Sequence, residues 1–235
     1  MKHIGHSAHT GRTRHVGPAE LAGSTGLGAW AAFAVLAVVV GRGPAPGVDG
    51  GLLDWSVAHR SSMSVSAARA LTDTGTGVVP YALVALAWML LGRTLRQRTA
   101  AAALGCACLA AGQLLRYGVM ELITRPRPPR QDWAAYASGW SFPSGHTTTS
   151  ALAAGLVIWA TVLRAPRGRT ALCAVVGCWG VAVGLTRVYL GVHWFTDVVG
   201  GWLFAVGWLG VCLCAAAWWL PRRGAARETG EPPPL

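Results

Sequence analysis

The chain has 235 residues, of which 53% are hydrophobic and only 12% charged, about half the roughly 25% charged share of a soluble domain. So few charges cannot cover a water-exposed surface, which excludes an ordinary soluble globular protein. The formal net charge is +11, but the nineteen Arg and one Lys sit in short clusters between apolar runs, with no basic stripe or recognition motif, and nucleic acid is not expected as a partner.

Residues 1–20 carry His3, His6, His9 and His15 among Gly, Thr and Arg. They read as a disordered cytoplasmic tail rather than a metal-binding tract. No cleavable signal is expected, because the first apolar run starts near Leu21 and no convincing cleavage site follows. A membrane-spanning helix needs about 20 mostly apolar residues to cross a hydrocarbon core roughly 30 Å thick. Six segments meet or approach that length: 22–41, 76–92, 99–120, 144–163, 170–187 and 197–220, the second and fifth being short. Between the first two, Leu52 to Leu71 has helical spacing of apolar residues and is expected to lie along the interface. The six Cys lie inside apolar runs and read as small buried hydrophobes, neither a disulfide framework nor a zinc site. The expected fold is all-α, an integral membrane bundle of six transmembrane helices over residues 21–221, followed by a C-terminal tail, 222–235, whose end Glu228 to Leu235 reads as unstructured.

Orientation follows from the Arg clusters. Lys2, Arg12 and Arg14 precede the first span, Arg93, Arg96 and Arg98 follow the second, Arg164, Arg167 and Arg169 follow the fourth, and Arg222, Arg223 and Arg227 follow the sixth. With six spans these regions share one side, which the positive-inside rule makes cytoplasmic, so both termini are expected inside. The Arg-rich usage suggests a bacterial plasma membrane. Loops 42–75, 121–143 and 188–196 fall outside.

Three strings in those outer loops carry chemistry. Arg125-Pro126-Arg127-Pro128-Pro129-Arg130 follows the third span, and its prolines hold the guanidinium groups on a stiff, extended segment; alone it reads equally as a basic loop touching headgroups. Ser141-Phe142-Pro143-Ser144-Gly145-His146 precedes the fourth span. Ser144 is placed to cap it, Gly145 allows close approach to the backbone, and the free N–H groups of a helix start form an anion site beside His146. The third string runs from Thr186 and Arg187 to His193 and Asp197, the last two one helical turn apart on a common face. An Asp beside an imidazole fixes its tautomer and leaves the other nitrogen as a nucleophile. Charged groups near lipid are costly unless paired or solvated and usually mark function. All three strings fall on the same side of the bilayer, as a joint site requires. Arginines, a helix N-terminus and two imidazoles suit phosphoryl transfer, where catalysis rests on holding phosphoryl oxygens and stabilising charge. Asp197 is the only acid in the strings, so neither metal nor other cofactor is expected.

The ordered combination resembles the type 2 phosphatidic acid phosphatase superfamily over roughly residues 50–220. Its second motif stands here as Pro143-Ser144-Gly145-His146, and its third as Arg187, His193 and Asp197. The resemblance implies that His193 takes the phosphoryl group as a phosphohistidine with Asp197 orienting it. It further implies that His146 protonates the leaving oxygen, while Arg127 and Arg187 grip the phosphate with Ser144 and the backbone at Gly145. Two positions depart from the pattern. The family's Lys, seven residues before Arg127, is Met120, where Arg116 one turn deeper is a candidate replacement, and Thr186 stands for the usual Ser.

The expected activity is hydrolysis of a lipid phosphate or diphosphate at the outer face, with polyprenyl diphosphate, phosphatidic acid and phosphatidylglycerophosphate as candidate substrates. Transfer of the phosphoryl group to an alcohol, or a non-catalytic lipid-binding role, are the alternatives. A vanadate haloperoxidase would share the anion pocket, but six spans in so short a chain argue against it.

Overall fold

The computed structural model describes residues 18–41, 47–164 and 167–229; the expectations for the His-containing tail before Pro18 and for the prolines at 232–234 lie outside these residues. Eight α-helices and one 3-10 turn follow in order, and there is no strand among the described residues: α1 (Pro18–Val40), α2 (Val48–Ala58), α3 (Ser62–Asp73), α4 (Val78–Met89), α5 (Leu95–Ile123), the turn Arg130–Asp132, α6 (Gly145–Arg164), α7 (Arg169–Tyr189) and α8 (Phe195–Thr229).

Five of these, α1, α5, α6, α7 and α8, are long and apolar enough to cross a membrane, and a sixth span arises if α3 and α4, bent by 50° at their junction, are taken as one. The expected second span, 76–92, is therefore built differently: α4 has only 12 residues and reaches span length only when α3 is counted with it. The physical reason is local. Thr74-Gly75-Thr76-Gly77 interrupts the helix, Gly77 has a φ of 66°, and Pro80 is placed in the first turn of α4, where its missing N–H costs no helical bond. The stretch Leu52 to Leu71, expected as one interfacial helix, is two. Ser61 and Ser64 form a reciprocal capping box that starts α3 afresh, and Arg60 at the corner donates to the carbonyls of Tyr189 (2.8 Å) and Asp132 (2.6 Å). This corner is thereby tied onto the bundle, and α2 buries Asp49, Leu53 and Ser56 within it.

The bundle is apolar outside and polar inside at one end. Leu27, Val35, Leu86, Leu104, Leu114, Leu122 and Val175 are all more than 60% exposed on helix surfaces, an arrangement stable only against hydrocarbon. Cys178 and Cys214 share that exposure rather than being buried, because their apolar runs face outward. Where α5 and α7 finish and α6 and α8 begin, the interior instead holds Asp49, Arg116, Arg125, Ser141, Ser144, Thr186, Arg187, His193 and Asp197, all buried. Below this polar layer, Phe142 stacks on Phe33 (centroids 5.4 Å apart), and Phe33 and Trp30 meet Phe204 edge-on. A side chain at Gly200 would collide with the Phe142 ring, so α8 presses directly against the segment that precedes His146. Helix α8 continues to Thr229, beyond the expected end of the sixth span.

Candidate active site

Helix α5 ends at Thr124, whose left-handed φ of 50° turns the chain into the stiff Arg125–Arg130 segment. Arg127 then spends its five N–H groups at once. Its Nε donates to the Gly139 carbonyl (3.0 Å), Nη2 to the carbonyls of Ser138 (2.7 Å) and Trp140 (3.0 Å), and Nη1 to the Val192 carbonyl (2.8 Å) and to Nε2 of His193 (2.9 Å). One guanidinium thus joins the loop before α6 to the loop before α8.

That contact settles the tautomer of His193. Arginine has no acceptor, so Nε2 accepts and the ring proton is on Nδ1, which lies 3.3 Å from Oδ2 of Asp197. The same Oδ2 accepts from the Trp194 backbone N–H (2.9 Å) and from the Ser141 hydroxyl. Burial, then the charges of Arg127 and Arg187, hold the His193 imidazole well below its ordinary pKa of 6.5, so the ring is neutral, with its Nε2 lone pair turned to Arg127 Nη1. Burial also lowers the Arg127 pKa below its ordinary value.

Beside this pair lies a cavity of about 540 Å³, lined among others by Arg116, Arg127, Gly145, His146 and Arg187. A second, of about 420 Å³, shares His146 and Arg187 and adds Arg69, Thr72 and Asp73. Arg187 donates from Nη1 to the Thr72 hydroxyl (3.2 Å), while its buried Nε has no hydrogen-bond partner. Arg116 packs over the Tyr117 ring (3.8 Å to the centroid), donates from Nε to Gln113 Oε1 (3.0 Å) and brings Nη1 to 3.4 Å from the Met120 sulfur. Its guanidinium therefore stands at the level of position 120. Ser144 is fully buried, its hydroxyl accepting from Thr147 (3.0 Å), and it does not line either cavity. Among the described residues, no group of three or more His, Cys, Asp or Glu side chains is placed to hold a metal ion.

The residues expected from three separate strings thus converge at one end of the bundle. Sequence reasoning missed three others. Arg125, noted only as part of a basic segment, is buried and donates from Nη1 to Oδ1 of Asp197 and from Nη2 to Oδ2 of Asp49 (2.7 Å). Asp49 also accepts from the Thr196 N–H (2.9 Å) and hydroxyl (2.7 Å). Ser141 braces Asp197. A double Arg-Pro and a lone Asp opening an apolar helix were the only hints at the first two.

Residues 118–221 match the PAP2 superfamily. The chain is 37% identical over 102 residues to phosphatidylglycerophosphatase B of Bacillus subtilis (strain 168), covering 41% of this chain and 48% of that protein. It is 35% identical over 112 residues to the protein of the same name in Escherichia coli (strain K12), covering 48% of this chain and 41% of the other. The chain thus matches less than half the length of these relatives. The fold is that of a crystal structure described as a transmembrane PAP2 type phosphatidylglycerolphosphate phosphatase from Bacillus subtilis, with a TM-score of 0.69 at 24% identity over 85% of this chain and 96% of the other. Arg127, the Pro143–His146 string, Arg187, His193 and Asp197 all lie inside the residues that match the PAP2 superfamily.

Proposed function

We propose that the chain is a lipid phosphatase of the PAP2 type that forms a phosphohistidine on His193 at the outer face of the membrane. The single observation that carries this is the alignment Arg127, His193 and Asp197: Arg127 Nη1 is 2.9 Å from Nε2, and Asp197 holds Nδ1 from behind. Arg127 already spends all its donors, so a phosphoryl oxygen binds by replacing Nε2 at Nη1, and the exchange frees the lone pair beside the phosphorus atom.

The chemistry then balances in two steps. Nε2 attacks phosphorus and the ester P–O bond breaks, with His146 giving its proton to the leaving oxygen; Asp197 stabilises the charge gained by the ring. Water next attacks phosphorus, His146 takes its proton, and the P–N bond breaks to release phosphate and neutral His193. Arg187, with an unpartnered Nε, and Arg116 stabilise the phosphoryl oxygens in both transition states.

The outer-face placement is supported by the Arg-bearing connections at 93–98 and 164–169, which join helices at the end opposite the site. The names of the two relatives favour phosphatidylglycerophosphate among the candidate lipids. Residues 21–221 form the catalytic membrane domain in this reading.

Phosphate release by the purified protein in detergent, with EDTA present, from phosphatidylglycerophosphate, phosphatidic acid and a polyprenyl diphosphate tests the reading. Turnover of at least one lipid, its loss in His193→Ala, and an acid-labile phosphate label absent from that variant are expected. Equal turnover in His193→Ala would overturn it.

A further inference from the structure

A buried guanidinium normally satisfies one carboxylate. Here Arg125 serves two: Asp197, the partner of His193, and Asp49, 76 positions upstream on α2. Side chains of all three are 1% exposed or less. Asp49 also lies outside the residues that match the PAP2 superfamily. We propose that Asp49 is a positioning residue for phosphoryl transfer, acting on His193 through Arg125 and Asp197. The inference rests on the reading of His193 as the nucleophile.

Charge count is what matters among side chains withdrawn from solvent. Arg127 of the Pro-rich segment, Arg187 of α7 and Arg116 of α5 all bear on His193, and its imidazole acts on His146 of α6. Facing these cations, Asp197 of α8 is, among the described residues, the one carboxylate in contact with the His193 ring. Were Arg125 its only ionic partner, the Asp197 charge would be neutralised just where His193 needs it as the ring turns cationic. Asp49 supplies a separate counter-charge for Arg125, so the Asp49–Arg125–Asp197 triad keeps one net negative charge and Asp197 remains available to Nδ1. Geometry points the same way. Thr196 donates twice to Asp49 and its hydroxyl accepts from Arg125 (2.8 Å), so the residue before Asp197 is clamped by the same triad.

The test compares D49N, D49E and the double variant D49N/R125Q, in detergent, for kcat, KM and the pH profile of kcat/KM. D49N keeps the shape but removes one of the two carboxylates that face Arg125. We expect kcat to fall by about tenfold or more with KM changed by less than about threefold, and the acid limb assigned to His193 to move to lower pH, since the site has gained net positive charge. D49E, which retains the charge, recovers part of kcat. In D49N/R125Q the nearer charge, Arg125, is gone as well, so the acid limb moves to higher pH than in the unmodified protein and kcat rises above that of D49N. A merely structural Asp49 would lower stability without moving either limb, and losses in the double variant would add. Unmoved acid limbs overturn the proposal. If D49N is not recovered as a monodisperse protein, the direction of the shift in the double variant decides alone. Failure of the nucleophile reading is distinguishable, because it appears in the unmodified protein and His193→Ala before any change at Asp49.

Discussion

Arg127 and His193 face each other with Nη1 2.9 Å from Nε2, and the same guanidinium ties down the carbonyls of Ser138, Gly139 and Trp140. In the proposed mechanism, phosphate binding and loop architecture therefore depend on one planar fork. Lys at this position offers three donors on a flexible stem in place of five in fixed directions. Arg127→Lys is expected to lower kcat/KM by about 10²–10³-fold and to lower the melting temperature in detergent. Phosphate-release kinetics with thermal unfolding of the same preparation check both; a variant with unchanged kcat/KM contradicts the assignment.

His146 lines both cavities without being part of the His193 network. As the proposed proton donor to the leaving oxygen, it matters most when that oxygen leaves poorly. His146→Ala should cost about 10²–10⁴-fold with a lipid phosphate and much less with p-nitrophenyl phosphate, whose leaving group needs no proton. Because the second step also uses His146 as base, the phosphohistidine label should persist longer in this variant. Equal losses on both substrates would remove His146 from the proton-transfer role.

The pH dependence follows from His193. Burial and the charges of Arg127 and Arg187 hold its pKa well below 6.5, so the nucleophile stays neutral through the neutral range and the acid limb of kcat/KM due to this group lies below pH 6.5. Arg127→Gln removes one cation and should move that limb upward. The stability sign is the corresponding one: with the folded pKa depressed, His193 contributes stability above the unfolded value that is lost as pH falls towards the folded one. The melting temperature should fall on acidification, and less steeply in His193→Asn. An acid limb that stays in place in Arg127→Gln would be inconsistent with this account.

Gly200 is held at contact distance by the Phe142 ring. Gly200→Ala adds one methyl group where there is no space and should cost about 1–3 kcal/mol of stability. It should also lower activity, since Phe142 leads into Pro143–His146. Double substitution with Phe142→Leu is expected to recover part of the melting temperature; no recovery would show that the clash lies elsewhere.

Arg116 stands at Met120 with its Nη1 3.4 Å from the sulfur. Arg116→Ala should therefore lower kcat/KM by about 10²-fold, and Met120→Lys added to it should restore part of the loss by returning a cation to the same wall of the cavity. Unchanged turnover in Arg116→Ala would mean that Arg116 has no part in phosphate binding.

The sequence alone determined the class of this protein and most of the site proposed for it. Span lengths, apolar runs and the strings around Arg127, Ser144 to His146, Arg187 and His193 to Asp197 are local signals, carried within about 20 residues each, and the parity of spans already required the strings to share one side. What only the tertiary structure decided depends on residues far apart in the chain. The corner held by Arg60 on Tyr189 and the place of Asp49 beside Arg125 come from contacts across 70 residues or more. A lone Asp on a short apolar helix looks the same in sequence whether it faces headgroups or another buried charge. It is packing that chooses, because a carboxylate enters the interior of a bundle only where a cation and hydrogen-bond donors already wait for it.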